Sequence, residues 1–83
     1  MIVKVLAAET DLTSATNVSL ATVVRLVNNQ NATDLVTRKT SGGTTIGSFT
    51  LTANSVTFVE KDSTDTLEGG NLILAAKVAY NIS

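Results

Sequence analysis

Fourteen of the 83 residues are threonine, and they sit among short runs of valine, leucine and isoleucine. Threonine has a branched Cβ that packs on a pleated surface and a hydroxyl that tolerates solvent, so it favours strands. The chain has no proline, cysteine, histidine or tryptophan. Histidine and cysteine are the usual means of nucleophilic catalysis and of transition-metal binding. Together these features describe β surface without a catalytic site, and they predict that the protein is not an enzyme.

The runs are separated by polar turn clusters. Met1 to Ala8 carries Ile2, Val3 and Val5 and reads as a strand, with Glu9 and Asp11 following too soon for a signal peptide. Thr10 to Asn17 reads as a loop. Val18 to Val27 is apolar on both of its faces, which predicts a central strand covered on both sides. Arg25 in its middle either snorkels to an edge, pairs with Asp34 or Glu60, or serves an interface. Asn28 to Asn31 is a turn. Thr33 to Lys39 and Thr44 to Thr52 read as strands around a hairpin at Ser41-Gly42-Gly43, and Gly47 marks a bulge or close approach. Ala53-Asn54-Ser55 is a tight turn, and Val56 to Lys61 is a strand. Thr66 to Glu68 is a short strand or a helical turn ended by Gly69-Gly70. Asn71 to Ile82 alternates at period two, with Leu72, Leu74, Ala76, Val78, Tyr80 and Ile82 on one face. That favours a strand, although Leu72 to Ala79 also suits a helix. About six strands at this spacing predict an all-β fold, a small antiparallel β-sandwich or barrel, filling residues 1–83 as a single domain.

A domain of this size buries only about 60% of the surface its unfolded chain exposes. Disulfides and Cys/His metal sites are closed to it, which leaves oligomerisation or docking as extra support. The net charge of −1 allows self-association. Among the six basic residues only Arg38 and Lys39 are adjacent, so a phosphate-binding face is not expected, and the partners exclude nucleic acid. No stretch has the length of a membrane span, so no membrane partner is expected.

Few constellations suggest chemistry. Asp62 and Asp65, flanked by Glu60 and Glu68, have oxygen ligands suited to calcium, but their spacing is not that of an EF-hand and a solvated turn accounts for them. Gly42-Gly43 and Gly69-Gly70 lie outside any phosphate-loop pattern and read as turns. Phe49, Phe58 and Tyr80 are too dispersed to stack bases and are expected in the core, with the Tyr80 hydroxyl at its rim. Catalytic, cofactor-binding and metal residues are therefore all assigned as none, with no cofactor. The threonine-rich strand edges carry little lysine and no proline, and so invite pairing with a partner or a second copy. The apolar terminal runs, Met1 to Ala8 and Asn71 to Ser83, are the expected arms.

The segments Val23-Val24-Arg25-Leu26-Val27-Asn28, Leu35-Val36-Thr37-Arg38-Lys39, Thr45-Ile46-Gly47-Ser48-Phe49-Thr50-Leu51 and Phe58-Val59-Glu60-Lys61, with Asp65-Thr66-Leu67 and Val78-Ala79-Tyr80, resemble small structural proteins of tailed bacteriophages, particularly marine and cyanobacterial phages. The resemblance spans about three quarters of the chain. It implies a virion component made in the host cytoplasm. The leading expectation is a capsid decoration, or cement, protein that binds between major capsid protein subunits as a homo-oligomer, a trimer being favoured. The alternatives are a neck, tail or baseplate component of the same virion, and a host- or carbohydrate-binding module, against which the scarcity of aromatic residues counts. The resemblance supplies no catalytic residues.

Overall fold

The structure is a computed structural model that describes residues 2–81; Met1, Ile82, Ser83 and the side chains of Tyr80 and Asn81 lie outside the described residues. Its strands are β1 (Ile2–Val5), β2 (Thr10–Asp11), β3 (Val23–Asn28), β4 (Asp34–Lys39), β5 (Thr45–Leu51), β6 (Val56–Glu60), β7 (Thr66–Glu68) and β8 (Ile73–Asn81). They form two antiparallel sheets in a sandwich-like arrangement. The first has the order β1-β8-β3-β6, with β2 also on β8; the second has the order β5-β4-β7. β2 pairs with Leu74 and Ala75, where β8 also pairs with β3, so β1 and β2 share the edge of β8 that faces away from β3.

The core lies between the sheets. Val24 and Leu26 of β3, Ile73 and Ala75 of β8, Val36 of β4, Leu51 of β5 and Leu67 of β7 are buried there, joined by Leu12, Val18 and Ala21 from the connections. Burying each such valine, leucine or isoleucine contributes about 1.5–3 kcal/mol. Alternation along β3 puts Val24, Leu26 and Asn28 inside and Val23, Arg25 and Val27 outside.

Each end of this thin core is closed by a buried polar side chain. At one end Asn28 Nδ2 donates to the carbonyls of Ala32 (2.9 Å), Leu51 (3.0 Å) and Thr52 (3.2 Å), which joins β3 to the end of β5. At the other end Lys61 Nζ donates to the carbonyls of Ala21 (2.6 Å), Asp62 (3.3 Å) and Ser63 (3.4 Å). Beside it Arg38 Nε donates to Asp65 Oδ2 at 2.9 Å. Desolvation by burial lowers the Lys61 pKa below its ordinary 10.5, against the opposing pull of Asp65.

The approach to β3 carries local strain. Val18, Ser19 and Leu20 have φ of 54, 57 and 60°, a left-handed turn built without glycine. Such residues cost about 1–2 kcal/mol each. The turn holds because Val18 is buried, the Ala21 amide donates to the Asn17 carbonyl (3.2 Å), and Asn17 Oδ1 accepts from the Leu20 amide (3.0 Å). Two glycines are also fixed by geometry. Gly43, with φ 93°, closes the β4–β5 hairpin, and a Cβ on Gly70 would run into the Asp34 carboxylate.

The expected β-sandwich is present, and the final run is a strand. Other expectations are corrected. Val18–Leu20 belongs to the turn and not to the strand, because three left-handed residues cannot join a ladder. Thr10–Asn17 is not wholly loop: β2 lies in it, and Thr16 bridges to Leu67. With β2 and β7 counted, the strands exceed six. Asn28 is the buried last residue of β3 and not the start of an exposed turn. The irregularity expected at Gly47 falls one residue earlier, at Ile46, where the register shifts opposite Arg38 and Lys39. Of the terminal runs, Ile2–Val5 and Ile73–Asn81 pair in the chain's own sheet, so these residues are not free arms; Met1, Ile82 and Ser83 lie outside the described residues.

Asn28→Ala would leave three carbonyls without their donor and is expected to cost about 1–3 kcal/mol in a urea titration. Ser19→Gly, at an exposed left-handed position, is expected to gain up to about 1 kcal/mol in the same assay. For Lys61 the folded chain holds its proton less tightly than the unfolded chain. Its contribution to stability therefore rises as pH climbs from the lowered folded pKa towards 10.5. The stability difference between wild type and Lys61→Met should increase with pH across that window, as read from melting at stepped pH.

Candidate binding face

The outer faces of the two sheets differ in chemistry. Directly paired residues of an antiparallel ladder share a face. On the second sheet the outward pairs are Leu35 with Thr50, Thr37 with Ser48 and with Glu68, and Lys39 with Thr45 and with Thr66. All but Leu35 are polar, and Lys39 pairs with Glu68. That is an ordinary solvated face.

The first sheet is the reverse. Outside β3, Val23 stands beside Glu60, Arg25 beside Phe58 and Val27 beside Val56. On the other flank Ala76 stands beside Arg25 and Leu74 beside Val27. Further out Val78 pairs with Val5. The result is a face of valine, leucine, alanine and phenylalanine in which Arg25 and Glu60 are the strand-borne charges. Val5 is 68% exposed, Val56 48% and Phe58 37%, and among the described residues no element covers them. Contiguous exposed apolar surface of this kind marks an interaction site.

Part of the face is concave. The connection between β1 and β2 turns over it, so that Ala7, Ala8 and Glu9 join Val3, Val5, Arg25, Ala76 and Val78 around a groove of about 470 Å³. This cover explains why Ala76 and Val78 are buried on an outward face. The Arg25 guanidinium crosses the groove to lie 3.9 Å from the Glu9 carboxylate, with both side chains partly exposed. A pair at that distance, open to water, contributes little to stability. It leaves Arg25 available to other acceptors.

The residues singled out by sequence fall in different places. Arg25 is at the centre of the face, but its partner is Glu9 and not Asp34 or Glu60. Asp65 is buried against Arg38, while Asp62 is exposed and only 3.9 Å from the same guanidinium, so this turn is organised by arginine. Among the described residues no group of three or more acidic, histidine or cysteine side chains is placed to hold a metal ion. Gly42-Gly43 lies in the β4–β5 turn, whereas Gly69-Gly70 precedes the turn at Asn71-Leu72, whose Ile73 amide donates to the Gly70 carbonyl. Phe49 and Phe58, expected in the core, are 36% and 37% exposed. Phe58 is on the outer face. Phe49 pairs with the buried Val36 and so faces inward, but β5 is an edge strand and leaves it open at the side. The alternation of β8 left open which face meets the core: Ile73 and Ala75 point inward, and Leu74, Ala76 and Val78 point outward. Sequence reasoning missed Glu9, which reaches Arg25 only because β1 and β2 are separated by a loop that folds over the sheet.

Among the described residues no helix is long and apolar enough to cross a membrane. Comparison with protein-family models, curated proteins and solved structures gave no match.

Proposed function

We propose that this protein is a structural component of a tailed-phage virion, a decoration protein that binds between major capsid protein subunits and stabilises the shell. The observation that carries this reading is the contrast between the two outer faces. One is threonine, serine and a salt bridge with a single leucine, Leu35; the other is an exposed apolar surface with a single arginine at its centre. Such a face suits burial against another protein, with Arg25 supplying orientation and apolar area supplying affinity. The resemblance of the strand segments to small virion proteins supplies the identity of the partner.

The test is co-sedimentation of the purified protein with undecorated capsid shells. The wild type is expected to pellet with the shells, and Val5→Asp, at an exposed position on the groove, is expected to remain in the supernatant while keeping its melting temperature. A stable ring of copies that ignores shells would assign the protein to the neck, tail or baseplate. Equal binding by wild type and Val5→Asp would remove this face from the interface.

A further inference from the structure

The first sheet ends at β6 in an edge whose one protecting charge is Glu60 at its last position. The edges of β1, β5 and β7 are more strongly managed. β1 carries exposed Lys4; β5 is interrupted by the register shift at Ile46 and by Gly47; β7 is three residues long and is bridged by Thr16. These are recognised devices against edge-to-edge pairing. β6, Val56-Thr57-Phe58-Val59-Glu60, has no lysine, glycine, proline or register shift, and its one paired strand is β3.

The hydrogen-bond phase shows which of its groups are free. The Lys61 amide donates to the Thr22 carbonyl (2.9 Å) and the Asn28 amide donates to the Ser55 carbonyl (2.9 Å). Narrow pairs recur every second residue in an antiparallel ladder. Ser55, Thr57, Val59 and Lys61 therefore point their backbone groups at β3. Val56, Phe58 and Glu60 point theirs away from it, outward along the edge.

We propose that β6 is the site where two copies of this chain pair, antiparallel, about a two-fold axis at Phe58. Centring on Phe58 makes the register self-complementary. The outward groups of Phe58 meet those of the second copy's Phe58, and Val56 meets the second copy's Glu60. The two phenylalanine rings lie side by side on the apolar face. Thr57 and Val59, half-buried at the side of the core, face the second copy's Val59 and Thr57 on the inward side. No like charges are opposed. The second copy's Glu60 comes to stand two strands from Arg25, with Cβ atoms about 12 Å apart by strand spacing and rise, a gap that an arginine and a glutamate side chain span together. Arg25, held in the single chain only by the 3.9 Å approach of Glu9, thus gains a carboxylate across the axis. The product is one continuous sheet with a doubled apolar face. This two-fold dimer stands in place of the trimer that the resemblance implies, and it does not depend on docking to a shell.

The experiment uses the purified chain alone. Sedimentation equilibrium over a dilution series is expected to show a monomer–dimer equilibrium. Amide exchange at high concentration should protect Phe58 and Glu60, and dilution should release them, while Thr57 and Val59 stay protected throughout. Phe58→Lys, at an exposed site, should raise the dimer dissociation constant by about tenfold or more with the fold intact. Thr50→Lys, on the polar face of the other sheet, should leave it unchanged. A monomer at every concentration, a trimer, or a dimer whose Phe58 and Glu60 amides exchange freely would overturn the proposal.

Discussion

The Asn28 side-chain amide is the tie on which the arrangement of the two sheets depends. Its nitrogen binds carbonyls of the connection after β3 and of the end of β5, and its own backbone amide binds Ser55. One buried residue therefore sets β3, the 29–33 connection and the passage from β5 to β6. A core of valine, leucine, isoleucine and alanine is weakly directional and tolerates sliding between sheets. Hydrogen bonds to fixed carbonyls do not tolerate it. Asn28 Oδ1 has no partner among the described residues, which is a cost accepted at this junction. Lys61, with Arg38 and Asp65 beside it, does the corresponding work at the opposite end. With both ends pinned, the short strands between them can be built from small apolar residues.

That arrangement also shapes the outer surface. With the inward face of the first sheet filled by Val24, Leu26, Ile73 and Ala75, and Val59 at its side, Val5, Val23, Val27, Val56, Phe58, Leu74 and Val78 stand on the outer face. A sheet buried on one side ordinarily alternates apolar with polar residues. Here both sets are apolar, and only the second sheet obeys the alternation. The excess sits beside the β6 edge, which carries no lysine, glycine, proline or register shift.

Much of the fold was legible in the sequence, since threonine-rich runs and turn clusters mark strands by local preference alone. The hairpin at Gly42-Gly43 follows from glycine's access to positive φ, and the structure uses it so. The left-handed turn at Val18–Leu20 was hidden because β-branched and leucine residues favour extended backbone; burial of Val18 and the Asn17 and Ala21 hydrogen bonds override that preference. Which face of β8 meets the core is not legible for a related reason. Its two faces are nearly equal in apolar character, and only pairing with β3 decides which one meets the core. Arg25 could be flagged as an oddity in an apolar strand, but Glu9 could not be matched to it, because their approach depends on a loop folding across β8. Phe58 is expected in the core on residue type, whereas its register opposite Arg25 puts it on the outer face.

The pairing of β1 with β8 has a mechanical meaning. Ile2 is opposite Asn81, so the described chain starts and finishes at the same end of one antiparallel ladder. Tension applied between these two points would act across the ladder and not along it. The hydrogen bonds would then open in succession from that end, as a zipper does, and each would bear the load alone. Load applied between Ile2 and Asn81 would meet little resistance, whereas load spread over the sheet faces would be shared by the whole core.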